Sequence, residues 1–295
     1  MSLINALLGS RNTLRFLTRA ERAPLQEWME ARPACSAFAL GFLDRFGMSG
    51  TRENRFFDFA VMGPDGGWTL VALIVHGVLV HVLHGDEPSS RKLGQLVLRR
   101  RQMVTMVSGR REPVLALAEA LLPRGASPRS EQAQILMQRL GPMEPPVEGL
   151  PASFRKARMT DLHQVLAATL AMHEEEMGSP NTDEDVDSLM RAAYAKIQDS
   201  RSWICTGENS DAIDFKATIG TPTASGAQLE GIWTAPDRRG QGLAKRCLRG
   251  LCAELSREFP LLSLTVGAEN EPALRLYRSL GFEEVMPWAT VYLDD

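Results

Sequence analysis

Apolar residues in the C-terminal half of the chain alternate between strand and helix spacing. After a glycine-containing turn at 239–242, they recur at steps of three and four residues, which predicts a helix of about five turns. These positions are Leu243, Ala244, Cys247, Leu248, Leu251, Cys252 and Leu255. A short apolar run over 228–234 precedes the turn, and Pro236 ends it. The pattern predicts a strand that crosses into a helix at this turn.

The elements on either side of this crossover are also readable. Residues 261–267 predict a buried strand, and 289–293 predict a last strand. A helix is expected over 271–280, because Pro272 suits a first helical turn and Gly281 a C-terminal cap. Upstream, the pattern predicts a strand at 154–157, helices at 160–172 and 182–198, and strands at 203–206 and 213–219.

The N-terminal half repeats this order of elements. It predicts a strand at 14–18, helices at 20–32 and 34–46, strands at 56–62, 68–75 and 79–83, a helix at 88–101, a strand at 103–108, a helix at 111–122 and a strand at 134–139. Between the halves, residues 141–151 contain four prolines and two glycines, which prevent regular structure. We expect two domains, 1–140 and 152–295, joined by a linker at 141–151.

Composition narrows the class of protein. The chain has 295 residues, enough for two domains with cores of their own. It lacks an apolar run near the roughly 20 residues of a membrane span, and its start lacks the features of a signal peptide. The four cysteines show neither metal nor disulfide spacing, and His76, His81 and His84 have no fixed ligand spacing. We therefore expect a cytoplasmic protein without a metal or a membrane partner.

The crossover turn has the chemistry of a pyrophosphate site. Helix N-termini present unpaired N–H groups and a partial positive charge. Gly240 and Gly242 supply the turn, and Arg238, Arg239 and Lys245 add positive charge. The segment is neither a P-loop nor a dinucleotide fingerprint, since it lacks the Ser/Thr after its lysine and a third glycine.

Two segments resemble the signatures of the GNAT superfamily of acyl-CoA N-acyltransferases. Arg239, Gly242 and Ala244 match Arg/Gln-x-x-Gly-x-Gly/Ala. The second signature, Asn-x-x-Ala-x-x-x-Tyr-x-x-x-Gly-Phe, is matched by Asn270, Ala273, Tyr277, Gly281 and Phe282. The resemblance covers 152–295 and implies an α/β (α+β) fold, with a mixed, mostly antiparallel sheet flanked by helices.

The N-terminal half is interpreted as a second, degenerate GNAT-like domain. At the place of the pyrophosphate turn it has Asp86 and Glu87, which would repel a pyrophosphate, and its second signature lacks the asparagine and the tyrosine. The overall layout looks like bacterial proteins that fuse an uncharacterised N-terminal domain to a GNAT domain. We expect a tandem protein in which only 152–295 binds CoA; the alternative is an unrelated α/β domain at 1–140.

The resemblance implies direct attack of an amine on the thioester of acetyl-CoA, which is the co-substrate and leaves as CoA. A backbone N–H near Trp233 would stabilise the oxyanion, and Tyr277 would protonate the leaving thiolate. Glu230 is the first candidate for the general base, and His173 with Glu174, Glu175 and Glu176 the second. The residues expected to bind CoA are Ile232, Trp233, Thr234, Arg239, Gly240, Gln241, Gly242, Leu243, Ala244, Asn270 and Tyr277.

The distribution of charge bears on the acceptor. Residues 1–150 hold 18 Lys and Arg against 14 Asp and Glu, while residues 151–295 hold 15 against 22. Much of the negative charge lies in the first two helices of the C-terminal half, which favours a cationic amine, of a small molecule or a protein, by electrostatic steering; a solvated helix end is the alternative. Scattered arginines without interleaved aromatics do not indicate nucleic-acid binding.

Two classes of function stay open at this point. The first is an N-acyltransferase, in which the intact Asn270 and Tyr277 serve catalysis. The second is a CoA-binding regulatory or scaffolding protein without turnover, whose N-terminal domain provides the partner surface. A homodimer is compatible with both.

Overall fold

The computed structural model describes residues 13–48, 56–64, 67–146, 149–207 and 211–293. The start of the chain considered for a signal peptide lies outside these residues, as does part of the predicted linker. Contacts divide the chain into two compact units. Unit 1 comprises Met1–Met137, Thr265–Leu274 and Glu284–Asp295, and unit 2 comprises Gln138–Leu264 and Arg275–Glu283. Each unit thus combines segments that are distant in sequence.

The N-terminal half supplies six strands and four helices among the described residues. They are β1 (Leu14–Phe16), α1 (Arg22–Glu30), α2 (Pro33–Phe46), β2 (Phe57–Met62), β3 (Leu70–Val75), β4 (Leu79–His84), α3 (Glu87–Arg99), β5 (Met106–Arg110), α4 (Arg111–Leu121) and β6 (Ser130–Leu140).

The C-terminal half supplies a further six strands and four helices within the described ranges. They are β7 (Arg155–Lys156), α5 (Leu162–Met177), α6 (Asp183–Gln198), β8 (Ser202–Thr206), β9 (Ile213–Ile219), β10 (Ala227–Thr234), α7 (Leu243–Leu255), β11 (Leu261–Gly267), α8 (Glu271–Ser279) and β12 (Glu283–Tyr292). The predicted order of elements is therefore present in both halves.

The strands of unit 1 form a mixed sheet with a core on each face. Antiparallel pairs join β1 to β2, β2 to β3 and β3 to β4, and a parallel pair joins β4 to β5. Successive side chains of a strand point to opposite faces. Accordingly, Ala60 and Met62 of β2 belong to one apolar cluster, while Phe57, Phe59 and Val61 belong to the other.

The last strand of the chain completes the sheet of unit 1. Residues Trp288–Tyr292 of β12 pair antiparallel with Met106–Arg110 of β5. Ala289 and Val291 are buried in the same cluster as Val107. The sequence predicts β12 only from residue 289; its earlier residues include two glutamates and a proline, which hide the strand pattern.

The strands of unit 2 pair in the same order and orientation as those of unit 1. Antiparallel pairs join β7 to β8, β8 to β9 and β9 to β10, and a parallel pair joins β10 to β11. Helices α5 and α6 cover one face through an apolar cluster that includes Val165, Ala193, Ile197 and Ile204. Helix α5 continues to Met177, beyond the predicted end at 172, and ends at Gly178 in the left-handed conformation.

Candidate functional site

Strand β10 is interrupted by a β-bulge near its end. Its register with β9 shifts between Glu230 and Trp233, so that Gly231 and Ile232 together lie opposite Ala217. Gly231 has a φ of +52°, which glycine adopts without the strain that a Cβ would bring. A bulge disrupts the local ladder and redirects the backbone groups around it.

Two side chains of β9 bind carbonyl groups at this bulge. Thr218 Oγ1 donates a hydrogen bond to Glu230 O at 3.0 Å. Lys216 Nζ donates one to Gly231 O, also at 3.0 Å. Residues 216 and 218 point to the same face of the sheet, the face that α5 and α6 cover. Side chains therefore take up carbonyls at the place where the regular ladder is broken.

Lys216 is an unusual residue for this position. It is only 1% exposed, and its Nζ also lies 3.7 Å from the sulfur of Met172 on α5. Burial is the main cause that lowers the pKa of Lys216 to about 7; nearby Lys196 contributes to the lowering, and Glu176 opposes it. Sequence analysis missed this residue, and its one signal is a lysine inside the otherwise largely apolar run 213–219.

Glu230, the first predicted base, has a cationic partner. Its Oε2 accepts a hydrogen bond from Lys196 Nζ on α6 at 2.7 Å. Both side chains are partly exposed. Lys196 Nζ also lies 3.4 Å from Thr218 Oγ1. The Glu230 carboxylate thus forms an ion pair with the Lys196 ammonium group at the edge of the bulge.

His173, the second predicted base, has a defined tautomer. Asn181 Nδ2 donates to Leu170 O at 3.1 Å and to Glu174 Oε1 at 2.8 Å. This fixes the amide so that its Oδ1 faces His173 Nδ1, at 2.6 Å. Since an amide oxygen only accepts, Nδ1 carries the hydrogen, and Nε2 of a neutral His173 keeps a lone pair.

The three predicted acidic residues at the end of α5 have different surroundings. Glu174 holds Asn181. Glu175 accepts two hydrogen bonds from Arg239, at 2.9 and 2.7 Å, and one from Trp233 Nε1 at 3.3 Å. Burial of its carboxyl raises the pKa of Glu176, although the residue as a whole keeps exposed surface, and Lys216 opposes the shift. Glu175 is therefore paired with a cation, while Glu174 binds a neutral amide.

The turn before α7 has the predicted backbone. Gly240 and Gly242 have φ values of +73° and +75°, and a Cβ at either position would meet no heavy atom within 4 Å. Glycine is therefore required by the backbone conformation, and the space around the turn is open. Gln241 Nε2 donates to Asp237 O at 2.7 Å, and Arg239 Nε donates to Thr234 O at 3.0 Å.

The turn leads directly into the N-terminus of α7. Leu243 is the first residue of the helix and is buried, while Ala244 is partly exposed. The first N–H groups of a helix have no partner within it. These groups lie beside the open turn, as an anion site requires.

The two residues predicted from the second signature lie at the two ends of α8. Asn270 Oδ1 accepts a hydrogen bond from Ala273 N at 3.1 Å, so its side chain caps the helix. Tyr277 is 6% exposed, and its ring lies 6.1 Å from that of Phe282. Burial raises the pKa of Tyr277 well above its usual value, so the phenol stays protonated at neutral pH.

One family of known proteins matches the part of the chain that contains this site. Residues 167–282 match the model of the acetyltransferase (GNAT) family. This part of the chain is a GNAT domain. It contains the bulged strand, the glycine turn and Tyr277. No curated protein matches the chain.

Solved structures resemble the chain over nearly its whole length. A GCN5-related N-acetyltransferase from Sphaerobacter thermophilus is 17% identical with a TM-score of 0.60, covering 95% of this chain and 94% of its own. A Drosophila protein is 13% identical with a TM-score of 0.67, covering 96% and 99%. A tandem GNAT protein from the clavulanic acid biosynthesis pathway is 16% identical with a TM-score of 0.54, covering 95% and 98%.

These comparisons confirm the predicted family and fold class. The identities are low, so the structural likeness concerns the fold alone. Among all the described residues, those of the GNAT domain included, no set of three or more His, Cys, Asp or Glu is arranged to hold a metal ion. Every helix within those ranges is too short or too polar to cross a membrane.

Proposed function

We propose that the GNAT domain transfers an acyl group, in the first instance acetyl, from acyl-CoA to an amine of a small molecule or a protein. The observation that carries this proposal is that three features follow one another along the chain. They are the bulge in β10, the open turn at Gly240 and Gly242, and the N-terminus of α7. A bulge offers a redirected backbone N–H, and the helix N-terminus offers an anion site. An acyl-CoA needs both.

The residues present fit a CoA pyrophosphate at the turn. A Cβ at Gly240 or Gly242 would meet no heavy atom within 4 Å, so backbone N–H groups of 240–244 can approach a phosphate. Arg239 lies beside them and is shared with Glu175. Strand residues Ile232 to Thr234 would bind the pantetheine amides, and Asn270 would contribute through its Nδ2, since its Oδ1 caps α8.

The reaction proposed for this site is a direct acyl transfer. The amine nitrogen forms a bond to the thioester carbon, the C–S bond breaks, and the sulfur leaves with its electron pair. A base takes one proton from the attacking amine, and Tyr277 returns a proton to the sulfur. The buried phenol of Tyr277 retains its proton at neutral pH, as this role requires.

Between the two candidate bases, the contacts favour His173. Its Nδ1 is occupied by Asn181, which leaves the Nε2 lone pair as the proton acceptor. Glu230 is held by Lys196 at 2.7 Å. We therefore propose His173 as the base and Glu230 as a residue that shapes the acceptor side.

The N-terminal half is proposed to be a copy that does not bind CoA. Strand β4 also carries a register shift, near Leu83, as β10 does. The segment after β4 differs from the one after β10, because Asp86 caps α3 by accepting a hydrogen bond from Ser89 N at 2.8 Å. Bonds from Ser89 lower the pKa of Asp86. A protein carboxylate thus occupies the helix N-terminus, where a pyrophosphate would otherwise bind.

Calorimetry with acetyl-CoA, combined with a thiol-release assay over a library of amines, tests this proposal. We expect saturable binding and CoA release that depends on one class of amine. Binding without release by any amine would favour the regulatory function, and absence of binding would refute both. Asp86→Asn is the control for the N-terminal half and should leave acetyl-CoA affinity unchanged.

A further inference from the structure

The buried Lys216 lies directly at the bulge that the proposed reaction uses. Its Nζ binds Gly231 O at 3.0 Å, and the same peptide unit carries the N–H of Ile232. We propose that Lys216 is a positioning residue, which holds the Gly231 carbonyl so that the Ile232 N–H points to the acyl carbonyl oxygen. This inference rests on the proposed acyltransferase function.

Peptide geometry connects the two groups. A peptide bond is planar, and in the trans form its C=O and N–H point in opposite directions. The described residues contain no cis peptide bond. Fixing the Gly231 carbonyl toward the face of α5 and α6 therefore directs the Ile232 N–H to the opposite side. A side chain that holds one end of this unit determines the direction of the other.

The bulge makes such a fixing contact necessary. Gly231 and Ile232 share the single opposite residue Ala217, so the regular ladder does not determine both of their peptide orientations. Gly231 is also the residue type with the greatest backbone freedom. Lys216, packed against Met172 and almost wholly buried, has little freedom to move away. The lysine supplies the rigidity that the bulge and the glycine remove.

The charge of Lys216 adds a second effect. An ammonium group that donates to a carbonyl polarises the peptide unit, and hydrogen bonds in a chain strengthen one another. The N–H of Ile232 becomes a better donor when Lys216 is protonated. This should matter for an oxyanion, because donors aimed at developing charge contribute strongly to acyl-transfer rates.

Several charged groups surround Lys216 and set where it loses its proton. Lys196 on α6 lies on the same face and itself binds Glu230 of β10. Glu176 on α5 acts on Lys216 in the opposite direction, and His173 on α5 acts on Glu176. With a pKa of about 7 for Lys216, the donor strength at the bulge should change across neutral pH.

The test observes the acyl carbonyl directly and needs no acceptor. Acetyl-CoA labelled with ¹³C at its carbonyl is bound to the full-length protein, and its ¹³C resonance is recorded at saturation. In the wild type we expect a downfield shift from free acetyl-CoA. In Lys216→Met this shift should be largely lost, with the calorimetric Kd changed less than threefold. Lys216→Arg, which retains a cationic donor, should restore part of it.

A pH titration keeps the inference testable should Lys216 variants fail to fold. The wild-type resonance should move upfield as pH rises, with a midpoint near 7. Lys196→Met is the matched control: it removes a neighbouring ammonium without touching Gly231, so it should keep the downfield shift at low pH and move the midpoint to higher pH. Glu176→Gln should move the midpoint to lower pH, and His173→Gln should leave a titration in place.

Other outcomes overturn the inference. An unchanged resonance in Lys216→Met, or a wild-type resonance independent of pH between about 5.5 and 8.5, would remove the positioning role. Loss of the titration in His173→Gln would assign the effect to the histidine. Acetylation of Lys216 detected by mass spectrometry would make the lysine an acceptor instead. Failure of the wild type to bind acetyl-CoA would refute the proposed function itself, which calorimetry distinguishes from these results.

Discussion

Replacing Gly231 by alanine tests how the bulge in β10 is held. An alanine Cβ at this position would lie 3.2 Å from Thr218 Oγ1 and 3.4 Å from Lys216 Nζ. The φ of +52° costs an L-residue about 1–2 kcal/mol. The two close contacts add strain, because both atoms take part in hydrogen bonds to the bulge. We therefore expect a loss of about 2 kcal/mol in the free energy of unfolding.

The strain in Gly231→Ala can be relieved only by a movement of the bulge that has its own cost. If the peptide rotated to relieve the strain, Lys216 would lose its bond to Gly231 O, and an unsatisfied buried donor costs about 1–3 kcal/mol. The two routes cost similar amounts, so some displacement of the bulge is expected. A misplaced oxyanion donor lowers kcat by about 10² to 10³, far more than the stability change alone would suggest.

Thermal unfolding followed by circular dichroism, together with acyl transfer to the amine found in the thiol-release screen, provides the assay. Gly77→Ala is the matched control: Gly77 has a φ of +76° with no heavy atom within 4 Å of a Cβ. Both variants should lose a few degrees in Tm, about 2–4 °C per kcal/mol, but only Gly231→Ala should lose kcat. Equal kcat in the two variants would refute the argument that the bulge places a catalytic group.

Three further predictions concern other contacts. Tyr277→Phe should lower kcat at least tenfold with an unchanged Kd for acetyl-CoA, as measured by steady-state kinetics and calorimetry; unchanged turnover would exclude Tyr277 as the acid. Gly109→Ala should lower Tm much more than Gly77→Ala does, because its Cβ would lie 2.1 Å from Val82 O and its φ is +138°; a similar Tm in both would contradict the close approach of β5 to β4. The pKa of Lys216 is lower in the folded than in the unfolded chain, so the unfolded state binds more protons between about pH 7 and 10, and wild-type stability relative to Lys216→Met should rise with pH over that range; denaturant unfolding at several pH values measures this, and an opposite slope would contradict it.

The order of helices and strands could be predicted from sequence because most elements carry an apolar period of their own. The run from 243 to 255 shows this, since its apolar residues at three- and four-residue steps, apart from the partly exposed Ala244, become the buried face of α7. The glycine turn could also be predicted locally, because Gly240 and Gly242 are needed by their own backbone conformation. Features that depend on neighbouring residues alone can therefore be predicted from the sequence.

Features that depend on strand pairing and side-chain partners were not predictable. Nothing in the segment 213–219 reveals that Lys216 reaches a carbonyl on the neighbouring strand, or that Lys196 on a helix will bind Glu230. The acidic run at the end of α5 was interpreted as a field that attracts an amine, whereas Glu175 binds Arg239. Such contacts join residues that are distant in sequence, so the local pattern of residue types does not indicate them.

The pairing of β12 with β5 has a consequence for how this protein is made. Trp288–Tyr292 contribute a strand to the sheet of unit 1, and Ala289 and Val291 fill its core. The ribosome synthesises these residues only after the whole GNAT segment 167–282 has been translated. The N-terminal half must therefore wait with an open sheet edge and exposed apolar side chains, a state in which unpaired strands are prone to associate. A chaperone that shields β5 during translation would act at the most vulnerable stage of its biogenesis.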